Sequence, residues 1–457
     1  MSNQERNPVQ QVLALFGSLR LTVALLFLSM VLVFAGTLAQ LNNGIWTVVS
    51  QYFRCGVALL GGWFPFPGGW TLGTLLLINL LVSHAMRIKV QARGPRLLLG
   101  AATLVVGLAL TWVVITHVFD LDSTQKTINP SRRVTLQLMQ GGGAAAVLFV
   151  GCWMLFRRKA GIVLLHMGVI ILMFSELATG LMAEEGQMSI FEGQSVNFVE
   201  DNRSAELAII DDSNPASDDV VVVSDGALQR GGAVRLEGLP FDLEVPRDRY
   251  FKNAQLAPLK AGDSNLATHG AGLRMSAQNR PEASGVDSSG RVDLPAAYVT
   301  FKDRGTNAPI GTWLVSVRYT MEKGTQTVRA GSKEYRIALR FKRTYKPYSI
   351  YLAQFKFERY SGTDTPKDYS SYVRVEDPER GIVRDVRIWM NNPLRYRGDT
   401  LYQSSFDAET EKGTVLQVVD NRGWMAPYVA CMIVAVGLVG QFQLHLLEFL
   451  RKRRSVA

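Results

Sequence analysis

The chain of 457 residues is 47% hydrophobic but only 19% charged, whereas soluble proteins usually contain roughly 25% charged residues. Its apolar residues concentrate in 18–182 and 424–447, which excludes a wholly soluble protein. The net charge is +10, but residues 183–423 hold 32 basic and 34 acidic side chains. The basic excess therefore lies in and beside the two apolar regions. A nucleic-acid-binding protein, which needs basic residues on a water-facing surface, is also excluded.

Six stretches are apolar enough to cross a membrane as helices, for which about 20 residues are needed. Basic residues follow the second stretch, separate the fourth from the fifth, and fill the tail at 448–457. Because Lys and Arg mark cytoplasmic segments, we predict that both termini, including 1–17, are cytoplasmic. The stretches are 18–40, 70–89, 97–119, 140–156 and 161–182, which form a membrane domain at 18–182, and 424–447.

The loop at 41–69 is rich in Trp, Tyr and Phe, which is typical of the outer membrane interface. The segment 183–423 lies on the same predicted side and alternates β-favouring runs with turn residues. The predicted fold class is therefore a multi-span α-helical membrane protein with a large extracytoplasmic all-β domain, either a sandwich or an open barrel. The predicted strands are 206–210, 220–224, 241–245, 297–301, 312–319, 335–341, 349–357, 371–375, 383–390 and 414–419.

The segment 261–290 of this domain is rich in Gly, Ser, Asn and Ala and lacks periodic apolar residues. We predict that it is a mobile loop that divides the domain into halves.

Four of the five histidines lie in or at the ends of predicted spans, and the fifth is His269 in the predicted loop; the four are His84, His117, His166 and His445. His84 and His166 differ in predicted depth by only about 6 Å, at a rise of about 1.5 Å per residue. Two imidazoles at one depth favour bis-axial ligation of haem iron. An interhelical hydrogen bond explains the same pattern, so both interpretations stay open.

Glu176 lies in the outer half of the fifth stretch. A carboxylate at this depth indicates a proton or cofactor path, or packing against a polar neighbouring helix.

Several short segments resemble the ResB family, the large-domain component of System II cytochrome c biogenesis, which also forms the N-terminal half of fused CcsBA synthetases. In the membrane part they are Asn-Leu-Leu-Val-Ser-His at 79–84, Gly-Ile-Val-Leu-Leu-His-Met-Gly at 161–168 and Ser-Glu-Leu-Ala-Thr-Gly at 175–180. Outside it they are 345–348, 359–364, Met-Asn-Asn-Pro-Leu-Arg-Tyr-Arg-Gly at 390–398, and 401–406. Residues 97–156 and 250–295 fall outside the resemblance, and the first of these adds a helical hairpin to the four spans usual in the family.

The resemblance implies that the chain helps to carry haem b across the bacterial plasma membrane and presents it to apocytochrome c for thioether attachment. It implies a non-catalytic subunit of a haem lyase complex, with a CcsA/ResC-like haem-handling membrane protein as partner. A thioredoxin-like thiol reductant is a further partner that the family allows. His84 resembles the family's transmembrane haem ligand, with the second ligand from the partner. His166 then shapes the site or replaces a ligand.

Two other functions remain open at the level of sequence: a membrane b-type cytochrome that only transfers electrons, and a non-haem assembly scaffold. The three cysteines form no Cys-x-x-Cys pair, which argues against a thiol-reducing role. In the outer domain, Arg395, Tyr396 and Arg397 have two interpretations, as contacts to haem propionates or an acidic partner, or as ordinary strand and turn residues.

Overall fold

The computed structural model of the chain describes residues 8–116, 130–215, 217–260, 265–284, 292–362, 366–407, 410–421 and 423–454. His117 lies outside these residues.

Five helical stretches in the described part are long and apolar enough to cross a membrane. One of them, Thr135–Met182, contains two helices, because the chain turns at Arg157–Lys159, where Arg157 has a φ of 47°. Each of the six predicted stretches therefore coincides with a long helix over most of its described residues. The long helices are α2 (Leu19–Ala39), α4 (Gly69–Arg87), α5 (Pro95–Ile115), α6 (Pro130–Phe156), α7 (Ala160–Met182) and α10 (Ala426–Arg454), and a shorter helix, α1 (Pro8–Phe16), precedes them.

The long helices form two groups with separate apolar cores. In the first group, α2 and α4 pack with the loop between them around Leu25 and Leu72. In the second group, α5, α6, α7 and α10 pack around Leu148, Leu164 and Val429. The two groups meet where the end of α4 lies against the start of α7.

The loop between α2 and α4 is folded. It contains the short helix α3 (Ile45–Val48), a π-helical turn at Val49–Phe53, and a hairpin of β1 (Val57–Leu60) and β2 (Phe64–Pro67). Gly61 and Gly62 turn the hairpin with positive φ values of 63° and 83°, which glycine adopts without steric cost. Trp63 at this turn is 79% exposed; its location at the outer membrane interface stays a prediction.

The segment between α7 and α10 is a β-rich domain, as the sequence pattern predicted, with two short helices. Its helices are α8 (Asp225–Arg230) and α9 (Val317–Lys323). Its strands are β3 (Glu184–Phe191), β4 (Ser195–Asp211), β5 (Asp219–Ser224), β6 (Gly232–Val234), β7 (Phe241–Val245), β8 (Tyr250–Phe251), β9 (Ala254–Pro258), β10 (Met275–Asn279), β11 (Ala296–Asp303), β12 (Pro309–Ser316), β13 (Gln326–Ala330), β14 (Lys333–Arg359), β15 (Pro366–Asp377), β16 (Ile382–Trp389), β17 (Leu394–Tyr396), β18 (Asp399–Phe406) and β19 (Gly413–Asp420).

Both architectures that the sequence left open occur in this domain. In one lobe, the five-stranded sheet that contains β12, β11, β7 and β6 packs on β5, β4, β14 and β13 around an apolar core that includes Phe241 and Phe301. In the other lobe, strands in the order β16-β15-β14-β4-β3-β19-β18-β17 surround a second core that includes Tyr348 and Leu401. The long antiparallel strands β4 and β14 run through both lobes and join them.

Two predictions for this domain are wrong in part. The predicted mobile loop at 261–290 contains β10, which pairs with β9, and a 3-10 turn at Gly270–Leu273, so its described residues 265–284 are folded. His269 in this segment stacks on Trp313, with 4.7 Å between ring centroids. The predicted strand at 312–319 ends at Ser316, because α9 begins at Val317. Local composition did not predict that β10 pairs with β9, and β-propensity did not predict that Val317 begins a helix, because tertiary context overrides local preference.

Candidate functional site

His84 of α4 and His166 of α7 are in direct contact. Nε2 of His84 lies 3.2 Å from Nδ1 of His166, and the two rings are nearly perpendicular, at 83°, with centroids 4.5 Å apart. Both side chains are partly exposed. The sequence placed these residues at a similar depth, and the structure brings them together at the junction of the two helix groups.

α4 is held in place by a polar stripe beside the histidine. Asn79 donates from Nδ2 to the carbonyls of Phe16 and Ser18, at 2.5 and 3.1 Å, and accepts from Thr22 Oγ1 at 2.7 Å. The side chains of Ser83 and Arg87 both donate to the Gly17 carbonyl, at 3.0 and 3.1 Å. These groups bind the Phe16, Gly17 and Ser18 carbonyls at the break between α1 and α2, and they fix the rotation of α4 that directs His84 towards α7.

α7 is held from its opposite side by close packing on α10. A Cβ at Gly161 would lie 2.5 Å from the Gly437 carbonyl oxygen, and one at Gly168 would lie 2.9 Å from that of Ala430. Small residues allow such close approach of membrane helices. Because α10 covers the glycine side of α7, His166 faces α4.

The contact as it stands is an interhelical hydrogen bond. A metal takes a histidine nitrogen at about 2 Å, so an iron with an imidazole on each side needs about 4 Å between the two nitrogens. The observed 3.2 Å between His84 and His166 leaves no room for it. The two rings fit haem only after this hydrogen bond has opened, and ligation by either residue stays a prediction.

The other membrane candidates lie apart from this pair. His445 hydrogen-bonds Gln441, with 2.9 Å between their Nε2 atoms, near Glu448, which pairs with Arg158 at 3.2 Å. Glu176 lies on the exposed side of α7 rather than against another helix of its own group.

A buried polar cluster lies in the barrel-like lobe, at a bulge of β14. Pairing with β4 is interrupted between Tyr345 and Ile350, where Pro347 lacks the N–H that a ladder requires. The bulge directs Lys346 and Tyr348 to Asp399 of β18, with Nζ–Oδ1 and hydroxyl–Oδ2 distances of 2.8 and 2.7 Å. Burial, followed by the Asp399 charge, raises the pKa of Tyr348.

The Arg-Tyr-Arg run at 395–397 makes contacts within the chain. Arg395 stacks on Trp424 at the start of the last membrane helix, 3.8 Å from the ring centroid. Tyr396 donates to Asp377 at 2.6 Å, which lowers the pKa of that carboxyl. Arg397 ion-pairs with Asp377 at 3.3 Å and Glu379 at 2.8 Å. These contacts favour a structural role for all three residues.

Sequence reasoning missed two of these features. The stripe Asn79, Ser83 and Arg87 had a readable signal, because a spacing of four places residues on one helix face. The cluster of Lys346 and Asp399 had no readable signal in the sequence, because its members are far apart in the chain and meet only through the bulge.

Comparison with known proteins finds a family match and a related sequence. Residues 310–416 match the model of the ResB-like family. The chain is 24% identical over 294 residues to Protein NrfI of Wolinella succinogenes, an alignment that covers 62% of this chain and 27% of that protein. The matched part is thus only about a quarter of the relative's length.

Among solved structures, the crystal structure of MucB in complex with MucA(peri) aligns with 58% of this chain and 97% of that chain, at 12% identity and a TM-score of 0.10. A score this low supports no statement about the fold.

Proposed function

Because residues 310–416 match the model of the ResB-like family, we propose that the chain acts in cytochrome c maturation, helping to carry haem b across the membrane and presenting it to apocytochrome c. The family match is the observation that carries this proposal. The layout agrees with it, because membrane helices flank a β-rich domain on both sides.

His84 is the residue that we propose as an axial ligand of the haem iron. Its ring is at the edge of the first helix group and partly exposed, and its Nε2 contacts His166. Iron binding at Nε2 of His84 requires that His166 release this nitrogen. His166 therefore holds His84 in position while no haem is bound, and the second ligand comes from a CcsA/ResC-like partner.

The β-rich domain lies outside the cytoplasm in this proposal and serves as a docking surface. The basic clusters at Arg157–Lys159 and at the end of α10 support that orientation, because both mark cytoplasmic ends. Apocytochrome c and a thioredoxin-like reductant are the further partners proposed for this side.

The test is maturation of a reporter cytochrome c with a Cys-x-x-Cys-His motif, in a bacterium lacking its own System II genes and supplied with this chain and a CcsA/ResC-like protein. We expect His84→Ala to abolish covalent haem attachment, and His166→Ala to leave a substantial part of it. Leu81→Ala, on the same helix and 45% exposed, is the matched control. Maturation that does not require the chain would refute the proposed function.

A further inference from the structure

Glu176 is a charged side chain on the exposed side of α7. It lies six residues before the end of the helix at Met182, about 9 Å along the axis at roughly 1.5 Å per residue. Within the described part of the chain it has no ion pair or hydrogen bond. Charged groups in membrane helices are costly and almost always face a polar partner, so Glu176 favours a polar neighbour beyond the contacts of the described residues.

The side of α7 that carries Glu176 also carries His166. Val169, Met173 and Glu176 follow His166 at spacings of three, four and three residues, which places all four on one face. His166 is in contact with α4, and Val169 and Met173 are partly exposed.

The side of α4 that carries His84 is partly exposed away from the histidine contact. Leu80, Leu77 and Gly73 precede His84 by four, seven and eleven residues, and therefore lie on its face. A Cβ at Gly73 would meet nothing within 4 Å. We call the space between the two faces the α4–α7 groove; it is lined by Gly73, Leu77 and Leu80 of α4 and by Val169, Met173 and Glu176 of α7.

A cation lies at the far end of this groove. Nη2 of Arg54 is 3.6 Å from the position that a Cβ of Gly180 would occupy, one turn beyond Glu176. Arg54 also makes no side-chain ion pair or hydrogen bond with the described residues. The groove thus presents an anion and, one turn further, a cation, both on one side of an otherwise apolar surface.

We propose that a transmembrane helix of the CcsA/ResC-like partner packs into the α4–α7 groove and places a basic or hydrogen-bond-donating side chain against Glu176. Lipid chains offer no donor at this depth, whereas a helix with complementary polar groups satisfies both Glu176 and Arg54. A helix in this position also reaches the open side of His84. The identity of the partner rests on the proposed function; the requirement for a helix with a donor rests on the groove itself.

The test introduces a photo-cross-linking amino acid in place of Met173 of the full chain, co-expressed with the CcsA/ResC-like protein in membranes. The control position is Phe442 of α10, which is 68% exposed. We expect adducts with a membrane segment of the partner from position 173 and not from 442. Glu176→Leu should reduce co-purification of the partner about three- to tenfold, as expected for one intramembrane hydrogen bond, and Glu176→Gln should reduce it less.

Adducts only with lipid or with a second copy of the chain, or equal yields at both positions, would overturn the interface. So would a Glu176→Leu variant that retains the partner as the unmodified chain does. Loss of the proposed function is distinguishable from these results: adducts with the partner would still form from position 173, although cytochrome maturation would not require the chain.

Discussion

The carboxylate of Asp399 neutralises the buried ammonium group of Lys346, so its substitution should strongly lower the stability of the β-rich domain. The Asp399 side chain is 5% exposed and that of Lys346, its ion-pair partner, is 12% exposed. Asp399→Asn keeps an oxygen for the Tyr348 hydroxyl but leaves the Lys346 ammonium without a counter-charge. Removing one member of a buried ion pair costs about 3–5 kcal/mol. For a domain of about 240 residues, each kcal/mol lowers the melting temperature by about 2–4 °C, so the expected loss is roughly 6–20 °C.

The assay is thermal unfolding of the full chain in detergent, followed by the circular dichroism of its sheets. Adding Lys346→Met to Asp399→Asn should restore most of the loss, because the double variant buries no charge. The matched control is Asp385→Asn, whose partner Arg374 and whose own side chain are 44% and 74% exposed; we expect at most about 1 kcal/mol from it. An Asp399→Asn variant that melts with the control, or a double variant as unstable as the single one, would contradict a buried ion pair between Lys346 and Asp399.

Three further predictions concern the supports of the histidine site and the Arg-Tyr-Arg run. Gly168→Ala places a Cβ 2.7 Å from a Val434 methyl carbon and should destabilise the isolated chain by about 1–3 kcal/mol in thermal unfolding. The control Gly73→Ala, whose Cβ has no atom within 4 Å, should not destabilise it. Equal effects of the two substitutions would contradict the close packing of α7 on α10. Asn79→Leu removes three hydrogen bonds at about 0.6 kcal/mol each. We therefore expect the free energy of unfolding to fall by about 2 kcal/mol in the same assay. An unchanged stability would contradict the support of α4 by Asn79. Tyr396→Phe removes the bond that lowers the Asp377 pKa. That stabilisation is present above the ordinary value of 3.8 and is lost as pH falls below it, so melting curves should show a deficit at neutral pH that shrinks in acid; a deficit independent of pH would contradict this.

The membrane helices were predictable, because each is a run of about 20 consecutive, mostly apolar residues. The same linear signal located His84 and His166 at one depth, since the basic residues that mark the membrane surface lie close to both. It could not predict that the two rings touch, because that depends on the rotation of α4, set by Asn79 against a distant helix break, and of α7, set by Gly168 against α10.

In the β-rich domain, alternation of apolar residues predicted many of the strands but not their joining. Residues 335–341 and 349–357 were predicted as separate strands and belong to the single strand β14. The turn signal of Pro347 was real, but it marks a bulge within the strand rather than its end. Whether a proline ends a strand or only interrupts its ladder depends on the neighbouring strand, which local sequence does not specify.

The most direct test of the central claim, that His84 is one ligand of a haem shared with the partner, is a reduced-minus-oxidised absorption spectrum of the purified chain, alone and in complex with the CcsA/ResC-like protein. We expect a six-coordinate b-type haem signal in the complex only, lost in His84→Ala and retained in His166→Ala. A full signal from the chain alone that requires both histidines, or full retention of haem by His84→Ala in the complex, would contradict it.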